Sequence, residues 1–318
     1  MSYLDTDGHA VGLAAAAGPG DPDALRAVED VIGEWAAMLR TRRVFQAATP
    51  AACSGVRRAQ AMFEHETAAG RPLRVSGGGF GRGEQRQGDP IFIPAQGVEP
   101  AVRAAAFARG DVVDATCPLV GAVQVDVRRF AARGDVVVVV AGPGALPALV
   151  QQAPDAVRVV RRLDDVDALN LDEDRVSFVI GGGVVAENAA KLLAALRTKY
   201  PRLRGQHPDG ICYATSDQLE TVQGVAKASD LVLVLGKKGA PGVRYLTGLA
   251  AQQSAPVHQV AGLEDFEPTW LAWTSTIGIV VDLSAKPQLE VELIRALSGM
   301  GPLSLVRRGV TTETAKVP

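Results

Sequence analysis

The chain has 318 residues, 47% of them apolar and 21% charged, and a formal charge of −2 at neutral pH. That composition can bury a sizeable core and excludes a disordered chain, and the length allows one to three domains. The charge offers no basic surface for nucleic acid or an anionic membrane. No apolar stretch reaches the roughly 18–20 residues of a membrane span, and no basic-then-apolar leader opens the sequence, so the expected location is the cytoplasm.

Residues 1–20 are rich in Ala and Gly and are expected to be poorly ordered. Asp21-Pro22 reads as a helix start, with Asp as N-cap and Pro at the first position. Leu25, Val28, Val31, Ile32, Trp35, Met38 and Leu39 follow at helical spacing, which predicts an amphipathic helix packed ahead of the main fold, or a dimer contact. Short apolar runs of the buried parallel-sheet kind come next: Val44–Ala48, Ile91–Ile93, Val112–Val113, Val136–Val140, Val176–Ile180, Leu231–Leu235 and Ile277–Val281. Helix-like segments separate them at Val56–Ala69, Glu99–Ala108, Ala122–Arg133, Ala186–Tyr200, Gln218–Ala228, Arg244–Gln253 and Leu289–Ser298. Strand, crossover helix, strand is the order of α/β domains with covered sheets.

Many of the strand tips are glycine-rich: Ser76-Gly77-Gly78-Gly79, Ala141-Gly142-Pro143-Gly144, Gly181-Gly182-Gly183 and Gly236-Lys237-Lys238-Gly239. Ligands of open α/β sheets bind outside the carboxyl ends of the strands, where glycine permits close backbone approach. Neither a Walker nor a Rossmann fingerprint is present, so nucleotide binding has little support.

Three cysteines, Cys53, Cys117 and Cys212, each sit where a strand-like run meets a helix-like one. Their odd number in a long chain argues against a disulfide framework, and their wide spacing argues against the close pairs of structural zinc sites. Two readings remain at this level: three unrelated core cysteines, or a single iron–sulfur cluster held by three converging thiolates. Glycine or proline beside each cysteine at a strand end favours convergence.

The cysteine segments carry a family resemblance. Asp114-Ala115-Thr116-Cys117-Pro118-Leu119-Val120 matches the D-A-T-C-P-L-V segment of the 4-hydroxy-3-methylbut-2-enyl diphosphate reductase family (IspH, also called LytB). Asp209-Gly210-Ile211-Cys212-Tyr213-Ala214-Thr215 closely resembles its D-D-I-C-Y-A-T segment, and Cys53-Ser54-Gly55-Val56-Arg57-Arg58-Ala59 resembles C-A-G-V-x-R-A. The resemblance covers about residues 43–300. It implies an α/β fold, a trefoil of three small α/β units around a central 4Fe–4S cluster, here with an extra N-terminal helix. The implied division is an extension at 1–42 and units at 43–116, 117–211 and 212–318. By resemblance Cys53, Cys117 and Cys212 hold the cluster, one iron stays open, and oxidation would leave a 3Fe–4S form. The implied reaction is reductive dehydroxylation of a small molecule, with electrons from a ferredoxin or flavodoxin.

The departures from the family pattern concern the polar pocket. The family's H-N-x-x-V segment has no histidine counterpart here, and its A-H-G-V becomes Ala95-Gln96-Gly97-Val98. Its G-H-P-E, with the proton-relay glutamate, aligns with Gly142-Pro143-Gly144-Ala145, and its Q-T-T with Gly181-Gly182-Gly183. Its S-x-N loop becomes Lys237-Lys238-Gly239-Ala240-Pro241-Gly242, while Ser284 is retained. The expected substrate contacts are therefore Gln96, Thr116, Gly182, Gly183, Lys237, Lys238, Arg244 and Ser284. The proton is expected from Glu187, Tyr245, Asp282 or the substrate itself. A buried diphosphate needs several strong donors, so the leading expectation is a substrate other than the usual allylic diphosphate. The alternatives are authentic diphosphate reduction in a rebuilt pocket and a non-catalytic iron–sulfur redox sensor.

Overall fold

A computed structural model describes residues 2–5, 7–12, 14–48, 53–71, 73–75, 90–142 and 146–312. The Ser76–Gly79 tip and Pro143-Gly144-Ala145 lie outside the described residues, as do the side chains of Trp35 and Met38. The chain begins with β1 (Ser2–Leu4), β2 (Ala10–Gly12), α1 (Pro22–Met38), β3 (Arg42–Ala47), α2 (Ser54–Ala68), β4 (Arg74–Val75) and β5 (Ile91–Ile93). Then come α3 (Pro100–Arg109), β6 (Val112–Asp114), α4 (Pro118–Ala132), β7 (Val136–Val140), α5 (Leu146–Val150), β8 (Val157–Val160), α6 (Leu163–Ala168) and β9 (Val176–Ile180). It continues with α7 (Ala186–Lys199), β10 (Arg204–Gly205), α8 (Ala214–Lys227), β11 (Leu231–Leu235), α9 (Pro241–Ala250), β12 (Val257–Val260), β13 (Thr276–Val281), α10 (Leu289–Ser298) and β14 (Leu303–Arg308). Among the described residues no helix is long and apolar enough to cross a membrane.

Two compact units result: one of Met1–Ala51 with Asp217–Val310, the other of Ala52–Ser216 with Thr311–Pro318. The first holds a parallel five-stranded sheet in the order β12-β11-β13-β3-β14. The inner strand β11 is buried on both faces, which is why Leu231–Leu235 reads as an unbroken apolar run. Val44, Leu231, Leu233, Leu235, Ile277 and Ile279 pack on Leu289, Leu293 and Leu297 of α10. Phe45, Val232, Val234 and Val280 face the opposite way, onto α8 and α9. Arg42, 1% exposed, starts β3 and donates to the carbonyls of Leu271 (3.0 Å), Thr274 (3.1 Å) and Met300 (3.1 Å), tying the strand to the loops around it. The segment expected as a first unit, 43–116, contributes strands to two sheets, because β3 joins β13 and β14 rather than β5.

The second unit holds two parallel sheets, ordered β4-β5-β6 and β10-β9-β7-β8. Helix α4 leaves β6 of the smaller sheet and lies across the larger one, with Val123, Val127 and Phe130 against Val137, Val139 and Val179. The opposite face of the larger sheet takes Ala189, Leu192 and Leu196 of α7.

The N-terminal segment differs from expectation. Residues 1–20 include an antiparallel β1–β2 pair, with Ser2 opposite Gly12 and Leu4 opposite Ala10. Asp21 caps α1 as read, its Oδ1 accepting from the N–H groups of Asp23 (3.1 Å) and Ala24 (2.9 Å). The apolar stripe of α1 is less covered than a packing helix requires: Leu25, Val31 and Ile32 stay exposed.

Asp135 is a buried carboxylate, its side chain closed to solvent. It accepts from Ser177 Oγ and from Arg133, with Arg204 at 3.4 Å. Burial alone would push its carboxyl up, but the hydrogen bonds from Ser177 and Arg133 and the two guanidinium charges outweigh it and hold the carboxyl below its ordinary range. A carboxyl with a lowered folded pKa stabilises fully above its unfolded value of about 3.9 and loses that contribution as pH falls through the folded value. Asp135→Asn should therefore cost about 2 kcal/mol at pH 7, and urea denaturation should show the difference shrinking below about pH 4.

Candidate metal centre

All three cysteines belong to the Ala52–Ser216 unit. Cys53 is the N-cap of α2 and Cys117 the N-cap of α4, and neither side chain makes a capping bond. Both helices thus present first-turn N–H groups and a partial positive charge beside a thiol available as a ligand. The two segments meet closely: a Cβ at Gly55 would lie 2.6 Å from Cys117 Sγ and 2.9 Å from its Cβ. Only glycine at 55 lets the second cysteine seat against the first cysteine's helix. Cys212 follows the 3-10 turn Pro208–Gly210, which packs on α4, and precedes α8.

The strand ends around the cysteines are stitched together. Cys117 N–H donates to Ala95 O (2.8 Å) and Ala115 N–H to Ile93 O (2.9 Å), which fixes the Ala95–Val98 turn beside the cysteine. Gly97, at φ +69°, closes that turn, and its N–H reaches Pro94 O at 2.8 Å. A Cβ at Gly142 would meet Gly183 O at 2.4 Å, so the turns after β7 and β9 touch. Just past Cys212, Ser216 Oγ accepts from Ala186 N–H (2.8 Å), tying the start of α7 to α8. Among the described residues the cysteine sulfurs do not all lie within 4.8 Å of one another, the spacing expected around a single ion. A polynuclear cluster spans a wider triangle. The donor set and the Gly55 cradle fit a thiolate-held cluster of that kind.

The expected substrate contacts divide between the two units. In the cysteine unit Gln96 is exposed on the Ala95–Val98 turn. Thr116 spends its hydroxyl proton on Asp114 Oδ1 (2.6 Å), and Asp114 pairs with Arg103. Gly182 faces open space, and with Ala141, Gly142, Leu146, Leu149 and Gly181 it lines a shallow recess. Glu187 is exposed and pairs with Lys191 at 2.7 Å; that hydrogen bond and charge hold its carboxyl below the usual range, so it is ionised at neutral pH.

The other unit carries Lys237, Lys238, Arg244, Tyr245 and Ser284. Lys238 pairs with Asp265, whose carboxyl that hydrogen bond lowers, and Arg244 donates to Gly239 O. Ser284 Oγ accepts from Lys237 N–H (3.0 Å) and donates to Asp282. Burial raises the Tyr245 phenol above its ordinary value, so it keeps its proton.

Two residues escaped the sequence reading. Ser216 needed the tertiary fold to show its partner. Gln124 had a signal, a polar residue on the buried stripe of α4; it is 6% exposed, and its Nε2 has no hydrogen-bond partner among the described residues.

The LytB protein family profile matches residues 44–298. The chain is similar to 4-hydroxy-3-methylbut-2-enyl diphosphate reductase 2 of Mycobacterium bovis, 36% identical in an alignment 305 residues long that covers 89% of this chain and 92% of that protein. It is also similar to the enzyme of Methylibium petroleiphilum, 30% identical over 235 residues, 73% of this chain and 71% of that protein. Among solved structures it resembles the E-1-hydroxy-2-methyl-but-2-enyl-4-diphosphate reductase of Plasmodium falciparum, with a TM-score of 0.70 and 20% identity over 87% of this chain and 95% of that one.

Gly55→Ala tests the cradle. Its methyl group must displace Cys117, at about 1–3 kcal/mol, and iron bound per chain after anaerobic reconstitution should fall. Gly121→Ala on α4, where a Cβ meets nothing within 4 Å, should leave iron content unchanged.

Proposed function

This chain belongs to the LytB protein family, and on that premise we propose that it is an iron–sulfur reductase that removes a hydroxyl from an allylic small molecule. Cys53, Cys117 and Cys212 would hold its 4Fe–4S cluster. The observation that carries this reading is the seating of Cys117 against Gly55, which brings the first two cysteine segments together. When bound, the cluster would supply Lewis-acid activation of the C–O bond and relay electrons one at a time from an external donor. The net change takes two electrons and two protons into the substrate alcohol and releases water, with a ferredoxin or flavodoxin as the electron source.

The remaining work falls to the chain's own groups. Gly181–Gly183 and the Ala95–Val98 turn leave room and backbone donors for a substrate. Of the two leading proton donors, Tyr245 carries a proton at neutral pH and Glu187 does not. The relatives' names support 4-hydroxy-3-methylbut-2-enyl diphosphate as the substrate. Its anion would rest on Lys237 and the N–H groups of the 236–242 glycine turn in place of the family's Ser and Asn. A second reading, a less anionic substrate, is favoured by one observation: the polar candidates Thr116, Lys238, Arg244 and Ser284 are already engaged within the protein.

Anaerobically reconstituted protein should be brown, and Ser at any of the three cysteine positions should bleach it and reduce turnover to background. Colourless wild-type protein, or variants as coloured and active as wild type, would overturn the enzyme assignment. Reduction of the allylic diphosphate by reduced ferredoxin supports the first substrate; reduction of the unphosphorylated allylic alcohol alone supports the second.

A further inference from the structure

In the unit built around the five-stranded sheet, Asp282 at the end of β13 lies against the start of α9. Helix α9 has Ala240 as N-cap, which offers no side-chain oxygen, and Pro241 at its first position. Its first-turn N–H groups therefore lack a capping partner from their own segment. A Cβ at Gly242 would lie 2.0 Å from Asp282 Oδ2 and 2.9 Å from its Cγ, so glycine is what allows the carboxylate to rest there. The carboxylate is also held from behind: Oδ1 accepts from Ser284 N–H (3.0 Å) and from Ser284 Oγ, and Ser284 Oγ in turn accepts from Lys237 N–H. Gly236, at φ +154°, completes the fit, because a Cβ there would stand 3.0 Å from both Asp282 Cβ and Ser284 Oγ.

A helix start, a glycine turn and nearby lysines make a natural seat for a phosphate group. Here the seat already holds a negative charge supplied by the protein. We propose that Asp282 is a specificity-determining residue, an internal competitor that lowers the affinity of the 236–242 turn for anionic substrates. The inference rests on the reading above that this turn contacts the substrate. Under the diphosphate reading Asp282 raises the KM; under the second reading it is the reason the substrate carries less charge at this end.

Asp282→Asn keeps the Oδ1 acceptor for Ser284 and places an NH2 group where Oδ2 rests against Gly242, so the charge is removed while the hydrogen bonds to Ser284 are preserved. Inorganic pyrophosphate titrated calorimetrically into the reconstituted protein should bind the variant about tenfold more tightly than wild type at low ionic strength. The gain should shrink with added salt, and Glu173→Gln, an exposed change elsewhere, should bind as wild type does. Equal affinity in Asp282→Asn and wild type, or the same gain in Glu173→Gln, would overturn the proposal. In turnover, KM for the allylic diphosphate should fall about tenfold in Asp282→Asn; an unchanged KM counts against the proposal, and a lower kcat at that unchanged KM would return Asp282 to the proton donors expected from the sequence. If wild type does not reduce the allylic diphosphate, that substrate assignment fails while the pyrophosphate titration still decides the role of Asp282.

Discussion

The seating of Cys117 Sγ against the glycine at position 55 is the constraint on which the account depends. It places the N-terminal ends of α2 and α4 side by side, each with a cysteine at its cap and no side-chain oxygen competing for the first-turn N–H groups. The surrounding backbone maintains that arrangement. Cys117 N–H is tied to the turn after β5, and α4 runs from the smaller sheet onto the larger one. The position of the sulfur is thus set by the cores of both sheets rather than by its own loop. Such support from regular elements is what keeps a ligand set in register.

The segments expected to contact substrate carry a different polar chemistry from the family pattern. Positions where the family pattern carries side-chain donors hold glycine, alanine, proline, lysine or glutamine, and several of the expected polar contacts are already hydrogen-bonded within the chain. Thr116 serves Asp114, Lys238 serves Asp265, and Ser284 serves Asp282. A substrate anion must compete with those partners or use backbone N–H groups. The cysteine segments match the family pattern closely, while the segments expected to contact substrate depart from it.

Much of the fold was legible because central parallel strands are apolar on both faces. Ile91–Ile93, Val136–Val140, Val176–Ile180 and Leu231–Leu235 coincide with β5, β7, β9 and β11. Edge strands were not read, and the reason is physical. Val157–Val160, Val257–Val260 and Leu303–Arg308 carry Arg, His, Gln or Ser on faces open to solvent and lack a continuous apolar run. The membership of β3 in the five-stranded sheet depends on long-range pairing that no local pattern encodes. At the site, the cysteines were visible through their strand-end context and the flanking motif residues. The role of Asp282 was not, because its meaning lies in the missing Cβ of Gly242, far away in the chain.

The most direct test is Mössbauer spectroscopy of the protein reconstituted anaerobically with isotope-enriched iron. Three protein thiolates around a four-iron cluster predict one iron distinguishable from the other three, with a spectrum that changes when substrate is added. Four equivalent irons, or no cluster at all in protein whose cysteines are intact, would contradict the account.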